Sequence, residues 1–158
     1  MSPRAAIALA LLTLALAAGA PAAVAQYQGV KPDPHIADGT LQHKLDVARR
    51  SWKAAGVSSY TYRIQVSCFC PPAKDANVFV VKGGVATRFA SGYRSLATVP
   101  RLFKTIQGAI DDGVANLDVS YGRRGVPTSI YIDRSQLIAD EEMGYAIKAF
   151  TPSKRHAR

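Results

Sequence analysis

Cys68 and Cys70 are the residues of this chain whose type and spacing most directly suggest chemistry. Only Phe69 separates them, and residues two apart in an extended strand point the same way and lie about 6.6–6.8 Å apart. Disulfides usually have Cα separations of about 4.4–6.8 Å. A bridge therefore needs the long limit of that range or a local bend, which Pro71 and Pro72 could support.

Three roles stay open for this cysteine pair. A bridge across one residue closes almost no loop, so as a local staple at a strand end it would stabilise the fold little. A strained bridge is more easily reduced, which would suit a redox partner in thiol–disulfide exchange. The Cys-x-x-Cys spacing at a helix start, which lowers thiol pKa values in redox proteins, is absent. Unpaired or intermolecular thiols are the third alternative.

An acidic stretch near the end of the chain contains Asp133, Asp140, Glu141 and Glu142. We interpret it as a solvated turn. The alternative is a hydrolase-like site, which would need these acids in one pocket with raised pKa values. The acids do not match a calcium-binding loop. The histidines at positions 35, 43 and 156 lack the spacing of zinc ligands, so we predict no metal and no cofactor.

Established catalytic motifs are absent, namely the serine-hydrolase elbow, the nucleotide-binding loops and the zinc-protease helix. The sequence therefore assigns no catalytic residue and favours a non-catalytic protein over an enzyme.

The first 25 residues have the three parts of an export signal. Arg4 precedes a 14-residue apolar stretch, Ala5 to Ala18, and Ala23-Val24-Ala25 fits the small-x-small cleavage pattern. An uncleaved membrane anchor is the alternative, but a span needs about 20 strongly apolar residues. We predict cleavage near Ala25, a secreted or periplasmic protein, and no transmembrane segment in the mature chain.

The chain is basic, with 20 Lys and Arg against 11 Asp and Glu, and its formal net charge is +9, which falls to +8 when Arg4 is removed with the signal. Attraction to anionic envelope polymers, lipid headgroups or nucleic acid is one interpretation. A scattered, solvated basic surface is the other, and we favour it. Because the chain is expected to be exported, nucleic acid is not an expected partner.

Two helices are predicted from apolar residues at helical spacing. The first spans Thr40 to Ala55, presents Leu41, Leu45 and Trp52 on one stripe, and stops at Gly56. The second runs from Pro100 to about Val114 after a Thr98 N-cap, with Phe103 and Ile106 on its buried stripe.

Six strands are predicted from period-two patterns and turn residues: 59–68, 77–82, 85–90, 117–121, 128–133 and 144–150. Gly83-Gly84 predicts a two-residue hairpin turn that pairs Lys82 with Val85. That register puts Val80 opposite Thr87 and Val78 opposite Phe89, which predicts one buried face formed by Val78, Val80, Val85 and Phe89.

These elements predict an α+β fold in the order α-β-β-β-α-β-β-β. Short connections indicate one mainly antiparallel sheet of about six strands, with both helices packed on one face. The predicted organisation is a signal peptide (1–25), a flexible leader in which Pro32 and Pro34 exclude a helix (26–38), a single domain (39–150) and a polar, frayed tail (151–158).

The chain resembles a family of small bacterial exported or lipid-anchored proteins that is known only as a domain of unknown function. The patterns C-x-C-P and G-x-P-x-x-I-x-x-D carry the resemblance, which extends over about residues 40–150. The matching residues are Tyr60, Tyr62, Cys68, Cys70, Pro71, Gly84, Phe103, Ile106, Val119, Tyr121, Gly125, Pro127, Ile130, Asp133, Asp140, Glu141 and Tyr145. Gly122 stands where the family more often has Asp.

The resemblance implies an envelope location and an α+β fold but no activity. We therefore expect a binding or accessory domain with an unknown protein or an envelope polymer as its partner. A thiol–disulfide redox partner that uses Cys68 and Cys70 is the alternative.

Overall fold

A computed structural model of the chain describes residues 30–70 and 77–153. The helices are α1 (Pro34–Ala37), α2 (Thr40–Ala55) and α3 (Val99–Asp111), and two 3₁₀ turns lie at Arg94–Leu96 and Arg123–Gly125. The strands are β1 (Tyr60–Ser67), β2 (Asn77–Lys82), β3 (Val85–Arg88), β4 (Asn116–Tyr121), β5 (Pro127–Asp133) and β6 (Met143–Pro152). The predicted signal peptide, Pro71, Pro72 and His156 lie outside the described residues.

The predicted α+β class is confirmed. The six strands form one antiparallel sheet in the order β3-β2-β1-β6-β5-β4. Two three-strand meanders, β1–β3 and β4–β6, are joined through α3. The last strand, β6, lies between β1 and β5, so it connects the two meanders into a continuous sheet.

Both long helices pack on the same face of this sheet. The α2 stripe buries Leu41, Leu45 and Ala48. The core also contains the inward residues of five strands and of α3: Tyr60, Tyr62, Ile64, Phe79, Val81, Val99, Leu102, Phe103, Ile106, Ala109, Leu117, Val119, Ile130, Ile132 and Ile147. Trp52 is half-buried and meets Tyr60 edge-on, with 5.3 Å between ring centroids. This contact anchors the end of α2 on the sheet.

Two buried tyrosines hold the start of α3. The Tyr60 hydroxyl accepts a hydrogen bond from Val99 N at 2.9 Å, and the Tyr62 hydroxyl donates to the Leu96 carbonyl. The predicted Thr98 N-cap is confirmed, because its hydroxyl accepts from Arg101 N at 3.2 Å. The tyrosines of β1 therefore connect the sheet to the helix start directly.

The predicted end of this helix at Val114 is wrong by three residues, because α3 ends at Asp111. Gly113 adopts φ +63°, a conformation that ends helices. Its N–H bonds to Ile110 O and the Val114 N–H bonds to Ala109 O, the two bonds of a Schellman cap. Val114 is still buried, because the residue after such a cap folds back onto the helix.

The expectation that prolines exclude a helix from the leader is also wrong. Pro34 occupies the first position of α1, where the missing N–H costs nothing. Asp33 caps this turn by accepting a hydrogen bond from His35 N at 2.7 Å.

The hairpin turn between β2 and β3 follows the prediction. Gly83 and Gly84 have positive φ values of +56° and +83°, and Lys82 lies opposite Val85.

The predicted buried face of that hairpin is wrong. The residues of β2 that face the core are Asn77, Phe79 and Val81, while Val78 and Val80 are half-buried on the other face and Val85 is 65% exposed. The register shifts after Val81, so Val80 lies opposite Arg88 rather than Thr87. The shift leaves Thr87 as an extra residue in β3, and Phe89 therefore points toward the core, on the same side as Phe79. Both faces of β2 are apolar in sequence, and the large Phe79 decides which is buried.

The predicted tail begins inside a strand. Thr151 and Pro152 belong to β6 and pair with Thr61 and Tyr60. A register shift near Ala149, which has φ +52°, lets β6 continue past residue 150. None of the described helices is long and apolar enough to cross a membrane.

Candidate functional site

A surface groove lies between α2 and the turn that joins β4 to β5. Its volume is about 330 Å³, near the lower end of the range for small-molecule sites. The lining residues are His43, Lys44, Val47, Ala48, Ser51, Tyr121, Gly122, Arg124 and Gly125. We call this cavity the α2 groove.

Gly125 brings the β4–β5 turn directly onto the helix. The glycine has φ +73°, and a Cβ at this position would overlap the Ala48 carbonyl oxygen. Any side chain would therefore push the turn away from α2. This close approach fixes the distance between the two walls of the α2 groove.

Arg124 has an unusual backbone conformation for an arginine, with φ 62° and ψ 16°. Residues with a Cβ pay about 1–2 kcal/mol in this left-handed region, where glycine is favoured. Arg124 lines the groove despite that cost. Strained conformations of this kind are concentrated at functional sites, so Arg124 is a candidate binding residue.

Tyr121, the last residue of β4, forms part of the groove wall. Burial raises its pKa to about 12, with Arg49 lowering the pKa and Asp46 raising it to smaller extents. The phenol is therefore neutral near pH 7. It gives the groove an aromatic wall and a hydroxyl group without adding charge.

The rim of the α2 groove carries two cations, Lys44 and Arg124, beside the imidazole of His43. All three residues are exposed and line the cavity. Within the described ranges, none of the three side chains has a carboxylate within ion-pair distance. The floor between them is apolar: Val47 is 42% exposed and Ala48 lies beside it. An apolar floor with unpaired cations at the rim suits an anion that carries an apolar group.

A polar network holds α2 against α3 next to the groove. Gln107 of α3 exchanges two hydrogen bonds with Gln42 at 2.8 and 3.3 Å, and it accepts one from Arg49 at 2.8 Å. Arg49 also lies 3.4 Å from Asp46. The helix wall is thus fixed on its far side, which makes the groove preformed.

The cysteine pair lies at the end of β1, at disulfide distance, with a Cα separation of 5.2 Å. This is shorter than the spacing in an extended strand, so of the two options that the sequence left open the chain takes the local bend. Neither residue is an unpaired thiol, which argues against the third alternative. Phe69, between them, is 82% exposed.

The cysteines and the groove are at opposite ends of the sheet. Ser67, next to Cys68, aligns with Gly144 and Tyr131, which lie at the start of β6 and the end of β5. The groove is instead at the end of β4 and the start of β5. The two features therefore cannot act on one small ligand.

Two of the predicted acids converge on a single backbone group. Ser135 N donates to Asp133 Oδ1 at 3.0 Å and to Glu141 Oε1 at 2.6 Å. Ser135 is buried, Asp140 is exposed, and Asp133 and Glu141 are half-buried. The stretch is therefore a turn ordered by its own carboxylates rather than a fully solvated one. The structure thus brings Asp133 and Glu141 together around one N–H group, while Asp140 is exposed.

The histidines do not come together. His35 lies 3.4 Å from Asp38 in the α1 turn, and His43 is on α2 at the groove rim. No cluster of three or more His, Cys, Asp or Glu side chains within residues 30–70 and 77–153 could hold a metal ion.

Sequence reasoning missed the groove residues. His43 and Lys44 read as ordinary exposed positions of an amphipathic helix, and Gly122-Arg-Arg-Gly125 as an ordinary turn. The available signal was the pair of glycines that flank two arginines, but no local pattern shows that this turn packs on α2.

The fold and the groove define a small α+β domain with a preformed surface cavity. A family model described as a family of unknown function, DUF6174, matches residues 44–152. The match covers more than half of the chain, and the protein belongs to this family. It agrees with the resemblance to a family without an assigned activity. No curated protein and no solved structure matches the chain.

Proposed function

We propose that the protein is an exported, non-catalytic binding domain of the cell envelope, whose ligand is a small anion with an apolar body. The observation that carries this proposal is the α2 groove, with an apolar floor and a rim of unpaired cations. Its walls are fixed by the Gly125–Ala48 contact and by the Gln42–Gln107 pair, so the ligand meets a site that needs little ordering.

Export is supported by the N-terminal residues and by the cysteines. Residues 1–25 have the charge, apolar core and small-residue end of a signal peptide. A bridge between Cys68 and Cys70 would persist in an oxidising compartment. Intact-mass measurement of the protein recovered from the medium or periplasm, with and without alkylation, tests both points. A mass that retains residues 1–25 would contradict export by cleavage.

Binding is tested by an NMR titration of residues 26–158 with hexanoate, hexanamide and hexylammonium. These probes share an apolar body and differ in charge. We expect hexanoate to shift the amide signals of Val47, Gly122 and Gly125, hexanamide to bind more weakly, and hexylammonium to leave them unchanged. Equal shifts with hexanamide, or shifts confined to residues outside the groove, would refute the proposal.

Matched variants distinguish the contribution of the rim residues to hexanoate binding from a general effect of net charge. Lys44→Gln and Arg124→Gln should each weaken hexanoate binding about five-fold, since each removes one charge–charge interaction worth about 1 kcal/mol. Arg123→Gln is the control, because Arg123 is exposed in the same turn but does not line the groove. Arg124→Gly should bind equally weakly and yet be about 1 kcal/mol more stable, because glycine relieves the left-handed conformation.

A second function, thiol–disulfide exchange, is favoured by the exposure around the cysteine pair. Cys70 and Phe69 are exposed, so a partner thiolate can reach the bridge. Its attack would form a mixed disulfide and release the second cysteine as a thiolate. A second partner thiolate would then complete a partner disulfide and leave this chain as a dithiol. Two electrons thus pass from the partner to the chain.

The reduction potential decides between this function and a staple. Equilibration in glutathione buffers, read by alkylation and mass, should give a value between about −120 and −270 mV for an exchange protein. A value below about −300 mV would instead be that of a structural bridge.

A further inference from the structure

The face of the sheet opposite the helices is exposed in the described part of the chain and carries a group of cations. Register places Thr61 opposite Val80 and Val80 opposite Arg88, so these residues share one face. Arg63 belongs to the same face, since it is two residues from Thr61 on β1. The group consists of Arg63, Lys82, Arg88 and Lys148, all exposed. We call it the basic face.

Two of these cations are direct cross-strand neighbours. Arg63 of β1 pairs with Lys148 of β6 in the antiparallel ladder. Side chains in such pairs have Cβ atoms about 4.5–5.5 Å apart, and like charges at that distance destabilise the sheet. The fold therefore holds two positive charges together, although a carboxylate in place of either side chain would form an ion pair.

No acid within the described residues compensates these charges. The ion pairs there are His35–Asp38, Arg49–Asp46 and Arg134–Asp112. The acids on the same sheet face are at its far side: Asp118 of β4 lies opposite Tyr131 of β5, and Asp133 lies two residues further along β5. The basic half of the face is thus uncompensated.

The surface between the cations is formed by polar and aliphatic side chains. Thr61, Gln65 and Ala146 follow from the pairings of β1 with β6, while Val78 lies opposite Arg63 and Val80 lies opposite Arg88. Val85, opposite Lys82, is 65% exposed on the same face. An extended polymer can lie across several strands and contact several cations.

We propose that the basic face binds a phosphate-bearing polymer of the cell envelope. Successive phosphates of such a polymer each carry about one negative charge, so two of them can neutralise Arg63 and Lys148. Arg63 contributes a planar donor pair and Lys148 a point charge, both of which phosphate oxygens accept. This surface is distinct from the α2 groove.

The experiment measures binding of the mature protein to immobilised polyphosphate at near-physiological salt. Polygalacturonate and vesicles of mixed phosphatidylcholine and phosphatidylglycerol are the comparison probes. Arg63→Gln and Lys148→Gln should each weaken polyphosphate binding about five-fold through loss of one phosphate contact. Lys104→Gln, on the exposed side of α3, is the matched control and should bind as the parent does.

The Lys148→Glu variant distinguishes loss of binding from loss of the fold, because stability and binding should change in opposite directions. The new carboxylate would lie opposite Arg63, so the thermal midpoint should rise while polyphosphate binding is lost. A lowered midpoint would contradict the like-charge pairing. Three results would overturn the proposal. The first is an equal loss of polyphosphate binding in Lys104→Gln, and the second is equal binding of the protein to the vesicles or to polygalacturonate. The third is a dimer that forms through this face and excludes polyphosphate. Lys44→Gln should leave polyphosphate binding unchanged, so failure of the groove proposal is distinguishable from failure of this one.

Discussion

The Asp33 carboxylate accepts a hydrogen bond from the backbone N–H of Leu117, 84 residues further along the chain, at 2.9 Å. Its other oxygen caps α1 through His35 N, and Asp33 N donates to the Val114 carbonyl at 2.9 Å. Asp33 is only 6% exposed. One side chain thus fastens the segment before the first long helix to the start of β4.

Replacement of Asp33 by alanine should destabilise the fold by about 2–3 kcal/mol, because a buried N–H loses a charged acceptor and α1 loses its cap. Urea unfolding followed by circular dichroism measures the change. Asp38→Ala is the control, since Asp38 caps a neighbouring turn from an exposed position. Equal effects of the two substitutions would show that the contact with Leu117 contributes nothing.

Gly125→Ala should cost about 2–4 kcal/mol and abolish hexanoate binding, because the new methyl group would overlap the Ala48 carbonyl and move the turn. Gly83→Ala is a matched control. Its φ is also positive, at +56°, but a Cβ there meets nothing within 4 Å. The control should lose only about 1 kcal/mol and should bind normally. Thermal unfolding and the NMR titration report the two properties separately.

Stability should fall as the pH rises through the range from about 10 to 12. Burial raises the pKa values of Tyr60, Tyr121 and Tyr145 in the folded chain, that of Tyr121 to about 12. The unfolded chain, with tyrosine pKa values near 10, releases these protons first, so the folded state binds more protons and loses stability with increasing pH. Tyr121→Phe should move the alkaline unfolding midpoint upward.

The measurement is the tyrosinate absorbance during a base titration, compared with the same titration in denaturant. Buried tyrosines should ionise only as the circular dichroism signal is lost. Ionisation of every tyrosine near pH 10 with the fold intact would contradict the burial of these phenols.

The double substitution Cys68→Ser/Cys70→Ser should leave the groove functional. A three-residue ring constrains the unfolded chain little, so the loss should be about 1.5 kcal/mol or less. Hexanoate binding should persist, because the groove is at the other end of the sheet. A loss of binding at unchanged stability would show that the two ends are coupled.

Local sequence patterns predicted most elements but not their long-range pairings. Helix α2 begins and ends at the predicted residues. Its apolar stripe of Leu41, Leu45 and Ala48 and its stop at Gly56 are both local signals, which depend on residues only a few positions apart. The burial of Phe79 instead of Val78 depends on which side of β2 meets the helices, and a strand with two apolar faces does not encode that choice. The contact of Asp33 with Leu117 has no local signature.

The groove was unpredictable for the same reason. His43 and Arg124 are 81 positions apart, and their proximity depends on the close approach of Gly125 to Ala48. The presence of glycines was visible in the sequence, but the surface they approach was not. The cysteine pair, in contrast, was found because both partners lie within three residues.

The place of β6 bears on how the molecule is made. Its ten residues are synthesised after the other five described strands, and yet they pair with both β1 and β5. A nascent chain that lacks Met143–Pro152 has two separate three- and two-stranded fragments with no ladder between them. Synthesis of β6 must therefore precede closure of the sheet.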